Sequence, residues 1–412
     1  MRSLGFSRYI LTIGAAAALL VGCGGSQPPI GAPTSRSAAS AKASLTRGSA
    51  TYAVLYSFEG GERGRNGAHP NTALIKVDGT LYGTTSGTNR GLDRYGTIFT
   101  ITPSGAATLF FRFRGGPKEG AAPNGLTDVG GILFGTTARG GSNGFGTVYS
   151  ITRTGDLTTL HNFTGGAGDG SDPQGLVNVN GTLYGTTSGG GTNGDGTVFS
   201  LTSSGTETIL YNFAGGTTDG AKPEAPLIDV QGTLYGTTAN GGKNSNGTVF
   251  AITPSGTETV VYSFKGGRKD GAGPLAALVD VHGILYGTTW SGGSPHCGGG
   301  CGTVFAITPY GNETVLYIFR AGTPDGAYPD AGVVNVHGTL YGTTFYGGAD
   351  SFGTLFAIAP SGKESILHSF AGPTADGQYP EAALLNANGT LYGTSSQGGT
   401  FYNGGTVFAL TP

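Results

Sequence analysis

Charged side chains are scarce in this chain of 412 residues, of which only 11% are charged. Lys and Arg number 22 against 24 Asp and Glu, so the net charge is -2. Without an excess of positive charge the chain lacks the phosphate contacts that nucleic-acid binding requires, and we expect no nucleic-acid partner. The 81 glycines follow no every-third-residue period and proline is limited to 20 residues, which excludes collagen. With 37% hydrophobic residues, a turn-rich globular protein remains.

A long hydrophobic run is also absent. The run from Tyr9 to Val21 has about 13 residues, too few to span a bilayer but typical of a signal peptide, and Arg2 and Arg8 precede it. It ends in Leu20-Val21-Gly22-Cys23, which resembles the bacterial lipobox. That resemblance implies that Cys23 receives a diacylglyceryl group on sulfur and becomes the mature N-terminus. An ordinary secretory signal with a chance cysteine is the alternative.

Three segments follow from this reading. Residues 1–22 are predicted to be a lipoprotein signal peptide, 23–50 the lipidated cysteine with a flexible tether, and 51–412 the folded domain. The tether is rich in Ser, Ala, Pro and Gly and has hardly any large apolar side chain. We therefore expect an exported protein, lipid-anchored on the periplasmic side of a bacterial membrane or at the cell surface, because two acyl chains suffice for stable anchoring.

Cysteine is limited to three residues, which is an odd number for an exported protein. With Cys23 assigned to lipid, Cys297 and Cys301 remain as a pair around three glycines. An oxidising compartment favours a disulfide between them. A metal site with the adjacent His296 is the alternative, but it has no fourth ligand nearby. We predict the disulfide, and no metal ion or other cofactor.

Internal repetition determines the expected fold. The segment Leu-Tyr-Gly-Thr-Thr, or a close variant, occurs seven times, with successive spacings of 52, 50, 51, 51, 55 and 51 residues. Its aromatic residues are Tyr82, Phe134, Tyr184, Tyr235, Tyr286, Tyr341 and Tyr392. A second signature, Gly-Thr followed by an aliphatic and an aromatic residue, begins at Gly96, Gly146, Gly196, Gly247, Gly302, Gly353 and Gly405. Seven copies of one unit follow.

Each copy is predicted to form four short strands. Two-residue turns such as Asn180-Gly181 join the first two strands, and β-branched and aromatic residues fill the third and fourth. This pattern predicts an all-β, seven-bladed β-propeller of four-stranded antiparallel blades. The glycine of Leu-Tyr-Gly-Thr-Thr is expected to let adjacent backbones approach. A parallel β-solenoid is the alternative, although no divergent terminal cap is visible.

The two ends of the repeat array are incomplete in complementary ways. Residues 52–58 form a fourth strand with no third strand before it, and 405–412 form a third strand with no fourth after it. Pairing the two segments would hide two open sheet edges. We therefore predict that the ring closes through these segments.

The repeat resembles the GloVer tandem repeat of bacterial surface proteins that use assorted anchoring signals. The resemblance rests on the Leu-Tyr-Gly-Thr-Thr, Gly-Gly and Gly-Thr-Val-Phe elements and covers residues 51–412. It implies that the lipobox is the anchor of this member, and it carries no catalytic residues to transfer. The first copy departs most, with Asn66-Gly67 and Gly87-Thr88 in place of Asp-Gly and Gly-Gly.

Two sets of residues are candidates for ligand binding. The links between blades repeat an acid-Gly-x-x-Pro pattern, whose carboxylates would bind a cation or a polyol if they surrounded the axis. The alternative is that Asp and Gly simply make the turn. The second set is aromatic and lies where the copies differ, in or beside the loops between second and third strands; such rings can stack on sugars or pack against neighbouring loops. The residues are Asp169, Asp219, Asp270, Asp325 and Asp376 in the first set and Trp290, Phe345, Tyr346, Phe401 and Tyr402 in the second.

No catalytic residue is predicted. His161 and His368 replace a strand tyrosine, and the remaining histidines show no Ser-His-acid or His-cluster spacing. The sequence favours a monomeric surface module that binds glycan, protein or an extracellular polymer. A hydrolase or lyase with its site in the axial mouth of the propeller is the alternative, because the fold hosts both kinds of function.

Overall fold

The computed structural model describes residues 45–47, 50–60, 66–88, 90–401 and 403–412. Every regular element among them is a β-strand. Within these ranges no helix is long and apolar enough to cross a membrane. The predicted signal peptide, Cys23 and most of the predicted tether lie outside the described residues, so those predictions stay untested.

Seven main antiparallel sheets follow one another along the chain, each with the strand order expected for a propeller blade. The inner strands are Ile75–Val77, Ala121–Val129, Gly170–Val179, Ile228–Val230, Val279–Val281, Val334–Val336 and Leu385–Ala387. The second strands are Thr80–Thr85, Ile132–Arg139, Thr182–Gly190, Thr233–Thr238, Ile284–Thr289, Thr339–Thr344 and Thr390–Ser395. The third strands are Thr97–Ile101, Thr147–Ile151, Thr197–Leu201, Thr248–Ile252, Thr303–Ile307, Thr354–Ile358 and Thr406–Thr411. The outer strands are Ala107–Arg112, Leu157–Asn162, Glu207–Asn212, Glu258–Ser263, Glu313–Ile318, Glu364–Ser369 and Ala50–Ser57.

From blade 1 to blade 7 each inner strand contacts the inner strand of the next blade, which places these strands around the axis. Short two-residue pairs extend blades 4 to 7 beyond the main sheets, whereas blades 2 and 3 extend their two inner strands instead. These pairs are Gly220–Ala221 with Asn240–Gly241, Gly271–Ala272 with Ser291–Gly292, Gly326–Ala327 with Tyr346–Gly347, and Gly377–Gln378 with Gln397–Gly398. The predicted seven-bladed propeller is confirmed.

The ring closes as the sequence predicts. Ala50–Ser57 pairs antiparallel with Thr406–Thr411, from Thr51 opposite Thr411 to Ser57 opposite Thr406. One further strand, Leu45–Arg47, pairs with the beginning of Ala50–Ser57 at the outer edge of the same sheet. The last blade therefore begins six residues before the domain boundary predicted at residue 51.

The hydrophobic core consists of seven clusters, and each cluster lies between two neighbouring blades. A buried phenylalanine just after each outer strand meets an aromatic ring of the next blade edge to face, with centroids 4.9–5.3 Å apart. The pairs are Phe58–Phe99, Phe113–Tyr149, Phe163–Phe199, Phe213–Phe250, Phe264–Phe305, Phe319–Phe356 and Phe370–Phe408. Such pairs add about 0.5–1.5 kcal/mol beyond the burial of their area. The sequence repeat thus encodes the interfaces between blades.

The glycine of Leu-Tyr-Gly-Thr-Thr accommodates this core rather than a neighbouring backbone. A Cβ added at Gly185 would lie 2.6 Å from Cζ of Phe199, the ring that stands opposite on the third strand. The expectation that adjacent backbones approach here is therefore wrong, because the space is taken by an aromatic side chain. The two-residue turns behave as predicted: Asn180 and Gly181 have φ of 52° and 88°, which suits a type I′ hairpin.

Candidate functional site

One face of the propeller, the loop face, carries the links between blades and the loops between second and third strands. Two positions per blade are fixed here by backbone hydrogen bonds. In blade 6, Tyr328 N–H donates to the carbonyl of Cys301 in the preceding blade at 2.8 Å, and Phe345 N–H donates to the carbonyl of Tyr328 at 3.0 Å. The corresponding pair of bonds in blade 7 joins Tyr379 to Phe352 and Ser396. A repeated backbone frame thus presents different side chains in each blade.

The residue before the link proline adopts a left-handed backbone. Tyr328 and Tyr379 have φ of 57° and 58°, and the equivalent residue of blade 5 is Gly273 with φ of 63°. A bulky side chain in this region costs on the order of 1–3 kcal/mol, which glycine avoids. Six of the seven blades nevertheless carry a side chain at this position, so the backbone frame offsets this cost and leaves the residue type free to vary. The equivalent residues in blades 1 to 4 are His69, Ala122, Asp172 and Lys222.

Aromatic rings from blades 5, 6 and 7 meet on this face and form the aromatic patch, defined as Trp290, Tyr328, Phe345, Tyr346 and Tyr379. Trp290 lies 5.0 Å from Tyr328 and 5.8 Å from Phe345, between ring centroids. Phe345 stacks on Tyr379 at 4.9 Å and meets Tyr346 edge to face at 4.6 Å. The side chain of Tyr346 is 40% exposed and the other four are half-buried. The patch is an aromatic surface that remains open to solvent.

Three of the five aromatic residues predicted from the sequence, Trp290, Phe345 and Tyr346, come together in the aromatic patch. Phe401 is 45% exposed, and no ring contact joins it to the patch in the described part of the chain. Tyr402 lies outside the described residues. The sequence analysis missed Tyr328 and Tyr379. They stand before the link proline, a position at which the copies also differ.

The predicted disulfide between Cys297 and Cys301 is present and braces this patch. Cys301 is fully buried, and its carbonyl accepts the hydrogen bond from Tyr328 N–H. The adjacent His296 has its Nδ1 2.7 Å from the Ser294 hydroxyl. The enlarged loop of blade 5 thus supports the backbone position that Tyr328 occupies in blade 6.

Polar groups adjoin the patch at the junction of blades 7 and 1. The Ser396 hydroxyl lies 3.0 Å from both the Glu381 carboxylate and the carbonyl of Tyr379. His69 Nδ1 is 3.0 Å from the carbonyl of Ser396. Burial lowers the pKa of His69, and the hydrogen bond to Ser396 opposes this shift only in part. The lowered pKa favours the neutral imidazole of His69.

The five predicted aspartates lie elsewhere, against the outermost strands. Asp219 accepts backbone hydrogen bonds from Ala214 at 2.6 Å and Gly220 at 2.6 Å, and the Tyr211 hydroxyl of the preceding outer strand donates to it at 3.0 Å. The same two backbone bonds recur at Asp169, Asp270, Asp325 and Asp376. These aspartates make the turn that links two blades, and they surround the perimeter rather than the axis.

A glutamate from the next outer strand faces four of these aspartates, forming what we call the outer junctions. Burial, followed by the charge of Asp219, raises the pKa of Glu258 to about 7, and the hydroxyl of Tyr211 opposes this in part. The pKa of Glu207, Glu313 and Glu364 is likewise raised to about 7, chiefly by burial. In each of the four, Oε1 is buried and has no hydrogen-bond partner.

Two outer junctions carry histidine in place of tyrosine. Between blades 6 and 7, His368 Nε2 is 2.8 Å from Asp376, and Tyr52, which takes the place of the glutamate, donates to Asp376 at 2.6 Å. Burial opposes ionisation of Asp376, but the contact with His368, together with the hydrogen bonds from Tyr52 and the Ala371 backbone, outweighs it and lowers the pKa. Between blades 2 and 3, His161 faces both Asp169 and Glu207.

Seven four-stranded blades, closed by a strand from the opposite end of the chain, define a seven-bladed β-propeller. The chain belongs to the family described as the Gloeobacter/Verrucomicrobia repeat, whose sequence model matches residues 41–178, 126–322 and 296–412. The resemblance to the GloVer repeat is thereby confirmed. Comparison with curated proteins gives no match.

Solved structures share the fold at low sequence identity. An ancestral GH74 enzyme is 11% identical with a TM-score of 0.52, and the match covers 84% of this chain and 48% of that one. A candidate 6-phosphogluconolactonase from Bacteroides uniformis is 16% identical with a TM-score of 0.50, over 77% and 89% of the two chains. The computationally designed Ika8 protein is 14% identical with a TM-score of 0.47, over 87% and 100%. At these identities the likeness concerns the fold alone.

Proposed function

We propose that this propeller is a monomeric binding module that holds a neutral glycan on the aromatic patch of its loop face. The observation that carries the proposal is the meeting of Trp290, Tyr328 and Phe345 from adjacent blades, with Tyr346 exposed beside them. Aromatic faces offer apolar area to the CH face of a sugar without needing charge. This suits a chain with a net charge of -2.

Two further features support this assignment. Tyr328 and Tyr379 place aromatic rings at a position that Ala122 and Gly273 occupy in other blades, so the fold itself does not require rings there. The Glu381 carboxylate lies 3.0 Å from the Ser396 hydroxyl, which also contacts the carbonyl of Tyr379, and it is suited to accept hydrogen bonds from sugar hydroxyls.

The test is a glycan-array screen with the full chain, followed by titration of the best ligand. Trp290→Ala and Tyr346→Ala should each weaken binding at least about tenfold, in line with the loss of an aromatic anchor. Tyr310→Ala is the matched control, because Tyr310 is 92% exposed on the opposite face, in the turn between the third and outer strands of blade 5. Affinity should change little with salt. Equal affinity in the Trp290, Tyr346 and Tyr310 variants would place the ligand elsewhere.

We further propose that the chain is exported and held at a bacterial membrane by lipid on Cys23, on the periplasmic side or at the cell surface. The support is the sequence Leu20-Val21-Gly22-Cys23 after a short apolar run. Cys23→Ser should move the protein from the membrane fraction to the soluble fraction, while Cys297→Ser should leave it at the membrane. A Cys23→Ser variant that still sediments with membranes would contradict lipidation.

A hydrolase or lyase is the second candidate, and the group of His69, Glu381 and Ser396 favours it. A neutral imidazole is suited to act as a general base, and His69 contacts the carbonyl of Ser396, whose hydroxyl contacts the Glu381 carboxylate at the edge of the patch. If this group is catalytic, glycans bound by the chain should be cleaved, and His69→Gln should abolish cleavage without abolishing binding. Intact glycan after prolonged incubation with the unaltered chain would exclude this function for that ligand.

A further inference from the structure

The outer junction between blades 2 and 3 differs chemically from its repeats. It brings together one imidazole, from His161, and two carboxylates, from Asp169 and Glu207, with one ligand atom from each residue within 4.8 Å of the others. These residues come from the outer strand of blade 2, the link between the blades and the outer strand of blade 3. In the described part of the chain, these three residues are the group of His, Cys, Asp and Glu side chains whose ligand atoms lie close enough together to hold one metal ion.

The position of the His161 ring is the first observation that points to an ion. Nε2 lies 3.3 Å and 3.4 Å from the two Asp169 oxygens, whereas His368 Nε2 lies 2.8 Å from Asp376 in the homologous junction. Two ligands of one tetrahedral ion, with bonds of about 2.0–2.1 Å, are separated by about 3.4 Å. The contact between His161 and Asp169 is a long hydrogen bond and ion pair, and its length is also the separation of two ligands on one metal ion.

The exchange of tyrosine for histidine beside Glu207 is the second observation. Oε1 of Glu207 is buried without a hydrogen-bond partner, as it is in Glu258, Glu313 and Glu364, so the carboxylate alone does not set this junction apart. In the junction between blades 4 and 5 the Tyr262 hydroxyl lies 2.8 Å from Asp270 and 3.4 Å from Glu313, so one neutral donor bridges both carboxylates. At the His161 junction that hydroxyl is missing, and an imidazole nitrogen takes its place.

We propose that His161, Asp169 and Glu207 bind a divalent transition-metal ion, Zn²⁺ in particular, at the perimeter of the propeller. Imidazole combined with carboxylates suits Zn²⁺, whereas Ca²⁺ and Mg²⁺ prefer sites made of oxygen alone. The His161 and Asp169 side chains are 21% and 10% exposed, which leaves a route for the ion from solvent. The bound ion joins the outer strands of two blades and neutralises the two facing carboxylates.

The repeat itself provides a matched variant for the test. His161→Tyr converts this junction into the combination that Tyr211, Tyr262 and Tyr317 already form in blades 3, 4 and 5, so it should fold. The full chain, loaded with Zn²⁺ and dialysed, should retain one equivalent of metal by mass spectrometry, and Zn²⁺ should raise its melting temperature. His161→Tyr should lose both effects, and Glu207→Gln should weaken Zn²⁺ binding at least tenfold. His296→Ala, a control for the histidine beside the disulfide, should lose neither.

The converse variant tests whether three residues suffice. Tyr211→His places the same trio with Asp219 and Glu258, and it should gain a second equivalent of Zn²⁺. Substitution with Co²⁺ gives an independent readout, because a visible absorption band that is present in the unaltered chain should be absent from His161→Tyr. Absence of bound Zn²⁺ and of any thermal shift in the unaltered chain would overturn the proposal. An unchanged equivalent in His161→Tyr would overturn it as well.

Discussion

The two halves of the loop face share one backbone and differ in side chains. In blades 6 and 7 the residue before the link proline is a tyrosine, at φ of 57° and 58°. In blades 3 and 4 the same position, at φ of 55° and 57°, holds Asp172 and Lys222. The hydrogen bonds that fix Lys222 are the same as those that fix Tyr328. The frame therefore accommodates different side chains here, and folding does not require the rings of the aromatic half.

The largest loss of stability is expected when the strand that closes the ring is removed. Deleting residues 50–58 removes the outer strand of the closing blade and Phe58, which is fully buried against Phe99. It also exposes the edge of Thr406–Thr411, so cooperative unfolding should be lost and aggregation should appear. Calorimetry and size-exclusion chromatography would measure this. Deleting residues 24–39, within the predicted tether, is the control and should leave the melting temperature unchanged.

A single core ring is expected to show the next largest effect. Phe250→Ala empties the space between blades 3 and 4, where Phe250 is fully buried against Phe213, and it should lower the free energy of unfolding by about 3–5 kcal/mol. Chemical denaturation would measure the loss. A loss below about 1 kcal/mol would show that the interface between blades carries less of the stability than its packing implies.

Cleavage of the disulfide should have an intermediate and local effect. Replacing Cys297 and Cys301 by Ser opens a five-residue loop, which the chain-entropy model equates to about 2 kcal/mol at most. Because the Cys301 carbonyl holds Tyr328, we expect glycan binding to weaken along with stability. A variant that is less stable but binds glycan with full affinity would show that the disulfide does not support the aromatic patch.

The outer junctions predict an unusual dependence of stability on pH. Glu207, Glu258, Glu313 and Glu364 titrate near pH 7 in the folded chain instead of near 4.5, so the folded state holds more protons between these values. Stability should therefore fall as pH rises from about 4.5 to 7, by on the order of 1 kcal/mol per site after allowance for partial exposure. Melting temperatures across this range, without added metal, would test it.

Two controls define that pH profile. Glu258→Gln combined with Glu313→Gln should make stability fall less between pH 4.5 and 7, because two of the four glutamates with a raised pKa are then absent. Asp169 and Asp376 have lowered pKa values, so their contribution is lost as the pH falls below about 3.8, and stability should be greatest between the two ranges. A profile that rises steadily from pH 4.5 to 7 would contradict the assignment of the glutamates.

The smallest effect on stability is expected in the aromatic patch. Tyr328→Gly removes the left-handed strain at φ of 57° together with the ring contacts to Trp290 and Tyr346. These two contributions oppose each other, so the free energy of unfolding should change by less than about 1 kcal/mol. Glycan affinity should nevertheless fall. A large loss of stability would show that Tyr328 belongs to the core.

Much of the fold could be predicted from the sequence because every interaction that builds a blade repeats at a fixed spacing. The Asn180-Gly181 segment forms a hairpin turn and the signature from Gly196 to Phe199 begins a third strand, both as predicted, because each depends on its own residues. The aspartates could not be placed in the same way. The sequence around Asp219 indicates a turn. That Tyr211 and Glu258, from two different outer strands, lie against this carboxylate follows only from the packing of the blades.

The number of blades, the strands within each, the closing pair of segments and the Cys297–Cys301 bond could all be predicted, since each depends on local patterns or their count. Which distant side chains meet could not, because that depends on how the blades pack. Tyr328 and Trp290 come from different blades, as do His161 and Glu207, and blade-to-blade packing brings each pair together. A repeat fixes the distance between equivalent positions, whereas contacts across blades depend on how the ring curves and closes.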